Sequence, residues 1–186
     1  MADSKVADLT AITTLGGDEL VYVVDDPSGT PVDRKITAKN LLHSSLVGFR
    51  VLNTADSVIA TATTTYIAFT SEDFDTDAGH DNATNNSRYT IPTGMGGKWL
   101  IGAAVRWQTN ATGQRIVFIQ VNRTTTLVQP GLPASSVANL GFTPVTVASL
   151  AAGDYVEVGV YQNSGGNQNV EGSQITTVMF GVWLSA

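Results

Sequence analysis

The densest group of residues that could do chemistry is the acidic segment 73–81, with the sequence DFDTDAGHD. Alternating carboxylates can converge on one hard cation, so Asp73, Asp75 and Asp77 are candidate calcium ligands. An EF-hand is excluded, because the segment lacks the glycine and the bidentate glutamate that the EF-hand loop requires. The alternative is a solvated loop whose carboxylates cap backbone amides, with Asp77 or Asp81 paired to Arg88. Calcium is the only candidate cofactor.

No other combination of residues predicts catalysis. The two histidines, His43 and His80, lie far apart in the sequence and outside any H-E-x-x-H frame. His80 next to Asp81 fits half of an acid–base pair, but such a residue more often makes one hydrogen bond in a loop. No nucleophile elbow or phosphate-binding loop is present, and Glu157 and Glu171 are glycosidase candidates only in being acidic. The sequence therefore predicts a protein that is not an enzyme.

Aromatic residues at strand spacing are the second group with binding chemistry. They could form a platform on which sugars stack, but aromatics at this spacing more often belong to a core or a subunit interface. We assign five residues to core or interface: Trp99, Trp107, Phe118, Tyr161 and Trp183. Two polar loops, 108–114 and 163–169, are where a ligand site could vary without disturbing a scaffold, or are ordinary strand connectors. Their candidate ligand residues are Asn110, Gln114, Asn163 and Asn167.

Composition limits the classes of protein. Among 186 residues, 42% are hydrophobic and only 14% are charged, which suits β-structure with a Thr- and Asn-rich surface. The net charge of −6 without a basic run argues against binding to nucleic acid or to an anionic membrane. The absence of cysteine excludes disulfides and thiolate sites. Neither a signal peptide nor an apolar run of roughly 18 residues is visible, so we expect synthesis in a cytoplasm without Sec export.

The elements that must position these residues are short strands. From about residue 50 onward, alternating apolar segments are separated by Gly, Asn, Thr and Pro, which is typical of an all-β sandwich. The predicted strands are 64–70, 88–91, 98–108, 115–121, 145–150, 155–162 and 176–184. Gly153 is predicted to take a positive φ in the turn before the long strand 155–162.

The N-terminal part differs from the rest. Residues 19–24 and 32–36 form two predicted strands around a Pro- and Gly-containing turn, and a short helix follows at 38–42. A lone hairpin of this size is unstable by itself, so it should dock on another protein or pack on its own β-domain. Its candidate attachment residues are Leu20, Tyr22, Val24, Ile36 and Leu41. We place the domain boundary at 48/49, with an attachment module at 1–48 and a head at 49–186.

Motifs along the head resemble a known family. They are Arg88-Tyr-Thr-Ile-Pro92, Gly97-Lys-Trp-Leu-Ile-Gly102, Leu150-Ala-Ala-Gly-Asp-Tyr-Val156 and Phe180-Gly-Val-Trp-Leu184. The segment resembles the globular head shared by complement subcomponent one-q and tumour necrosis factor. The resemblance implies an antiparallel jelly-roll sandwich of about ten strands that assembles as a homotrimer.

The first 45 residues resemble the short N-terminal module of phage head fibres and tail fibres. Both resemblances together imply a virion structural protein, made in the host cytoplasm and carried on the virion surface. The main hypothesis is a trimeric capsid decoration or head fibre whose partners are its own copies and the major capsid protein or another virion protein. The alternative is a tail-fibre adhesin whose distal loops bind a host surface glycan or protein.

Overall fold

The computed structural model describes residues 20–25, 32–37 and 47–185. The chain divides into two compact units, 1–46 and 47–186. Among the described residues of the first unit, β1 (Leu20–Asp25) pairs antiparallel with β2 (Val32–Thr37). These two strands were predicted from the sequence. The predicted helix at 38–42 lies outside the described residues.

The second unit is a sandwich of two antiparallel sheets. The eight-stranded sheet contains β3 (Gly48–Leu52), β4 (Ser57–Ile59), β6 (Ser71–Asp75), β8 (Gly97–Trp107), β12 (Leu140–Phe142), β13 (Val145–Leu150), β15 (Gln168–Val170) and β16 (Val178–Ser185). The six-stranded sheet contains β5 (Thr65–Tyr66), β7 (Arg88–Thr90), β9 (Gln114–Val121), β10 (Thr125–Val128), β11 (Gly131–Pro133) and β14 (Tyr155–Gln162). The predicted all-β sandwich is therefore confirmed. Within the described ranges, no helix has the length and apolar character that crossing a bilayer requires.

The core lies between the inward faces of the two sheets. On β8 the predicted alternation is confirmed, since every second residue from Trp99 to Trp107 is buried. The opposite layer comes from the valines of β14 and from alternate apolar residues of β9. Phe49 and Tyr89 stack with ring centroids 3.6 Å apart, and Trp99 packs against both rings. Aromatic side chains thus connect β3, β7 and β8 across the core.

Regular pairing differs from the prediction in one segment and adds strands elsewhere. The predicted strand 64–70 is regular only at Thr65–Tyr66, because Ile67 and Phe69 donate their backbone N–H groups to Val158 and Asn86 on different parts of the chain. The strands that prediction missed are short or polar, such as β6, β10 and β15. Their apolar alternation is too brief to stand out in the sequence.

Candidate functional site: an apolar sheet face

The outward face of the eight-stranded sheet is apolar. At its centre on β8, Leu100 lies opposite Val147 of β13 and Val182 of β16. In the next row, Gly102 lies opposite Val145 and Phe180. The face thus spans at least three adjacent strands. We call this the apolar face, and its residues are Phe74, Leu100, Val145, Val147, Phe180, Val182 and Leu184.

Five of these seven side chains are exposed to an unusual degree for apolar groups, whereas Leu100 and Phe180 are half-buried. Val147 is 56% exposed, Leu184 52% and Phe74 48%. The Phe180 ring lies flat against the backbone of Gly102, where an added Cβ would come within 2.3 Å of it. Contiguous apolar patches of this kind on a folded protein mark surfaces that are covered in use.

One charged pair interrupts the apolar face. Arg50 on β3 lies between Phe180 and Phe74 in the strand register. Its guanidinium pairs with Asp73 and donates a hydrogen bond of 2.7 Å to the carbonyl of Gln174. Both charges are already paired within one copy, so a partner that covers the face does not leave the charge of Arg50 buried and unpaired.

None of the five aromatic residues predicted for the core or an interface belongs to the apolar face. Trp99 and Trp107 are fully buried in the core, and Phe118 is almost fully buried beneath Tyr66. Trp183 is half-buried against the core and donates to the carbonyl of Gly96. The apolar face itself was missed, although alternation on β8, β13 and β16 between buried and apolar outward positions carries its signal.

The structure does not bring Asp73, Asp75 and Asp77 together as ligands. The Asp73 carboxylate pairs with Arg50, and the Asp75 carboxylate accepts from the backbone N–H groups of Asp77 and His80. The Asp77 carboxylate accepts from the hydroxyl of Thr76. Within the described part of the chain, no group of three or more His, Cys, Asp or Glu side chains is placed to hold a metal ion. The three carboxylates do not form the predicted ligand set, because a β-bulge at Asp73 and the end of β6 at Asp75 break the period-two spacing that would place them on one side of a strand.

The alternative is confirmed in that carboxylates of this loop cap backbone amides, and it is wrong in that neither Asp77 nor Asp81 pairs with Arg88. Asp81 caps its own loop, accepting from the backbone N–H groups of Ala83 and Thr84. These two bonds lower the pKa of Asp81 below its ordinary value of 3.8. The charged group near Arg88 is instead Glu157, with 3.9 Å between Nε and the carboxylate.

The outward face of the six-stranded sheet contrasts with the apolar face. Here Glu157 on β14 is completely buried, although it occupies an outward position. Arg123 donates to both of its oxygens, at 2.7 and 2.9 Å, and the Ser87 hydroxyl donates to one of them at 2.5 Å. The guanidinium of Arg123 lies over the Tyr66 ring, and that of Arg88 lies over the Tyr155 ring. We call this group of residues the charged network.

The turn that carries Arg123 is built for this contact. Asn122 and Arg123 both have positive φ values, 53° and 55°, and Thr124 donates to the carbonyl of Val121 to close a tight hairpin between β9 and β10. Glycine normally occupies the second of these positions, so an arginine there is strained. Its two bonds to Glu157 offset that strain, and they raise the pKa of Arg123. Burial is the main cause of the raised pKa of Tyr66 beneath it.

The predicted ligand loops lie at one end of the sandwich. The side-chain oxygen of Asn163 accepts from the backbone N–H of Gln114 at 2.6 Å, so the two loops adjoin. The Asn110 side-chain oxygen accepts from Thr112 and from Arg115. Asn167 makes a local contact, since its carbonyl accepts from the Gln168 side chain. Asn110, Gln114 and Asn163 therefore hold the loops in place, whereas Asn167 does not.

The candidate attachment residues occupy two registers of the N-terminal hairpin. Leu20, Tyr22 and Val24 lie opposite residues 37, 35 and 33, whereas Ile36 lies opposite Val21. Leu41 lies outside the described residues. The attachment role of these five residues stays a prediction.

Comparisons with known proteins show which solved structures share this architecture. No protein-family model matches the chain, and no curated protein matches it. Among solved structures, murine APRIL at pH 5.0 superposes with a TM-score of 0.59 at 15% identity, over 75% of this chain and 99% of that chain. Eiger TNF from S. frugiperda gives 0.59 at 9% identity, over 76% and 94%. The globular domain of the zebrafish complement 1qA protein gives 0.55 at 13% identity, over 75% and 98%.

The fold is the jelly roll of these heads. The predicted likeness of residues 49–186 to tumour necrosis factor and complement heads is confirmed at the level of fold. The likeness of the N-terminal unit to a phage module stays a prediction.

Proposed function

We propose that the chain is a non-enzymatic structural protein of a phage particle whose head assembles as a homotrimer. The exposed apolar face carries this proposal, because an isolated head, residues 47–185, would leave Val145, Val147 and Val182 in water. Identical copies related by rotation bury the same face on each subunit and close the assembly. The number three rests on the family resemblance.

The N-terminal hairpin supports a role in attachment to the particle. Two strands alone do not form a stable unit in water, so β1 and β2 require further packing. In this proposal the major capsid protein or another virion protein provides it, and three linked hairpins raise the avidity of a weak single contact. The protein is then a capsid decoration or head fibre on the virion surface, made in the host cytoplasm.

Light scattering on the purified chain tests the assembly. A mass near three times 19.5 kDa is expected, whereas a monomer would refute the homotrimer. The virion role needs a second measurement, the sedimentation of infected-cell lysate followed by detection with an antibody. The chain should travel with the particle fraction. Recovery only with free protein would refute attachment, even if the trimer is present.

The alternative is a tail-fibre adhesin that recognises a host glycan or protein. It is favoured by the adjacency of the two polar loops around Gln114 and Asn163 at one end of the sandwich. Phage that carry the Asn167→Trp substitution should adsorb normally if the chain is a decoration. Impaired adsorption by intact particles would favour the adhesin.

A further inference from the structure

A polar pocket of about 270 Å³ opens beside the edge strand β7. It lies between the loop that follows β6 and the outward side of β7. Besides the buried His80, its polar side chains are Asp81, Thr84, Asn85, Arg88 and Thr90. This volume is just below the roughly 300 Å³ at which pockets for drug-sized ligands begin, so it suits one small ring.

The wall of the pocket is fixed before any ligand arrives. The two ring nitrogens of the buried His80 lie 2.8 and 3.1 Å from the carbonyl oxygens of Arg88 and Phe69, and its backbone N–H donates to Asp75. The adjacent Gly79 accepts from the backbone N–H of Thr90 and lies so close to β7 that a Cβ would come within 2.5 Å of it. A ligand would therefore meet a preorganised site and would not have to order the loop.

The guanidinium of Arg88 has hydrogen-bond donors that no residue in 47–185 accepts. No nitrogen of its guanidinium donates a hydrogen bond to any residue in 47–185, and its buried Nε has no hydrogen-bond partner, with the Glu157 carboxylate 3.9 Å away. Glu157 is already satisfied by Arg123 and Ser87. The other arginines of that range, at 50, 106, 115 and 123, each bond or pair at close range. The surplus donors of Arg88 match an oxyanion, for which a guanidinium is well suited.

The remaining polar groups of the pocket match hydroxyls. One carboxylate oxygen of Asp81 accepts two backbone bonds, while the other has no partner among the described residues. The side chains of Thr84, Asn85 and Thr90 likewise make no hydrogen bond within 47–185, whereas Asn and Thr elsewhere in the head are commonly engaged. Asn85 has a φ of 54°, a left-handed conformation that fixes where its side chain begins.

We propose that this pocket binds a sugar residue that carries a carboxylate, within an acidic polysaccharide. The ligand carboxylate bonds to the guanidinium of Arg88, and ring hydroxyls bond to Asp81, Thr84 and Asn85. The net charge of −6 opposes long polyanions, but charges more than about 8 Å apart are largely screened at physiological ionic strength. Within the pocket, the single negative side chain faces hydroxyls and the single positive one faces the carboxylate.

The proposal is tested by calorimetry on the full chain with tetragalacturonate, a hyaluronan tetrasaccharide and a sialic acid tetramer. Maltotetraose serves as the neutral probe and acetate as the free anion. We expect at least one acidic probe to bind, and the Arg88→Met substitution to weaken that binding at least about tenfold while keeping the contact with Tyr155. The matched control is Arg106→Met, which removes an exposed arginine from the other sheet.

A second substitution distinguishes a loss of binding from a loss of the folded structure. Asn85→Gly keeps the positive φ and removes only the side chain, so it should weaken the acidic sugar with an unchanged melting temperature. The proposal is overturned if no acidic probe binds, if maltotetraose binds equally well, or if Arg88→Met binds as the wild type does. Equal binding of acetate would reduce the pocket to a simple anion site and also overturn it.

Discussion

The outward faces of the two sheets differ in how their side chains are shielded from solvent. The apolar face leaves Val147 and Val182 in contact with solvent, and nothing within residues 47–185 covers them. The face of the six-stranded sheet buries a carboxylate, Glu157, beneath its own arginines. In the proposed assembly a second chain covers the first surface, whereas the second surface is complete within residues 47–185. The comparison teaches that association and monomer stability should respond to different residues.

The largest effect is expected from a charge placed on the apolar face. Val182→Asp would bury an unpaired carboxylate between copies, at a cost of at least about 3 kcal/mol for each copy. The trimer should therefore dissociate to monomers in light scattering, with little change in the far-UV circular dichroism of the subunit.

Leu132→Asp is the control for that substitution, because Leu132 is similarly exposed but belongs to the six-stranded sheet. It should leave the assembly intact. Equal dissociation by both variants would mean that the apolar face has no special role.

The second effect tests the charged network. Glu157→Leu removes the acceptor of three hydrogen bonds and leaves Arg123 in a strained turn without a partner. Because Arg123 is half exposed and can be rehydrated, we expect a loss of about 2–3 kcal/mol in the free energy of unfolding, less than for a fully buried pair. Urea denaturation of a variant that is monomeric, such as one that also carries Val182→Asp, measures it.

Glu171→Leu provides the comparison for the charged network. Glu171 pairs with Arg106 at 3.2 Å and accepts a hydrogen bond from the Asn139 side chain, but it is only partly buried, so we expect a smaller loss of about 1 kcal/mol. A loss as large as that of Glu157→Leu would show that burial of the carboxylate does not decide its contribution.

The third effect concerns the turn that leads from β13 on the apolar side to β14 on the charged side. Gly153 has a φ of 89° with nothing within 4 Å of an added Cβ. Gly153→Val should therefore destabilise the head by about 1–2 kcal/mol through backbone strain alone. Gly141→Val also enters open space but at an ordinary φ, so its melting temperature should change less. Equal changes would contradict the strain.

The smallest effect is the pH response of the loop beside the charged network. The backbone bonds from Thr84 and Ala83 lower the pKa of Asp81, so this carboxylate stabilises the loop above its ordinary pKa of 3.8. That contribution is lost as the pH falls through the lowered value. The protection of the Thr84 amide, measured as its exchange rate relative to the intrinsic rate at the same pH, should fall below about pH 4 and stay constant between pH 5 and 7. Asp81→Asn, which keeps the accepting oxygen, should remove the acid-dependent step.

Local pattern predicted the parts of the fold that depend on local rules. The period-two alternation of β8 and β14 gave their buried faces, and the turn residues before Tyr155 gave the positive φ of Gly153. Alternation with Val156 and Val158 places Glu157 on the outward side of β14, but no local pattern predicts that its carboxylate is buried. Ser87 and Arg123, which cover it, lie 70 and 34 residues away along the chain.

In the acidic loop, proximity in sequence suggested the wrong partners for charged side chains. Proximity in sequence made Asp73, Asp75 and Asp77 look like ligands of one ion, and Arg88 look like their counter-charge. Asp73 instead pairs with Arg50 on the neighbouring strand, and Arg88 lies beside Glu157. Spacing along the chain reveals which groups are available, whereas strand pairing decides which of them meet.

The sequence by itself determined the all-β class, the sandwich core and the N-terminal hairpin, because strand alternation and turn chemistry act over a few residues. Only the tertiary structure decided what lies on the two outer faces. Contacts across strands that are distant in sequence gathered the apolar face, closed the charged network and shaped the pocket beside Arg88. Those contacts depend on register and sheet order, and neither is encoded in any single segment.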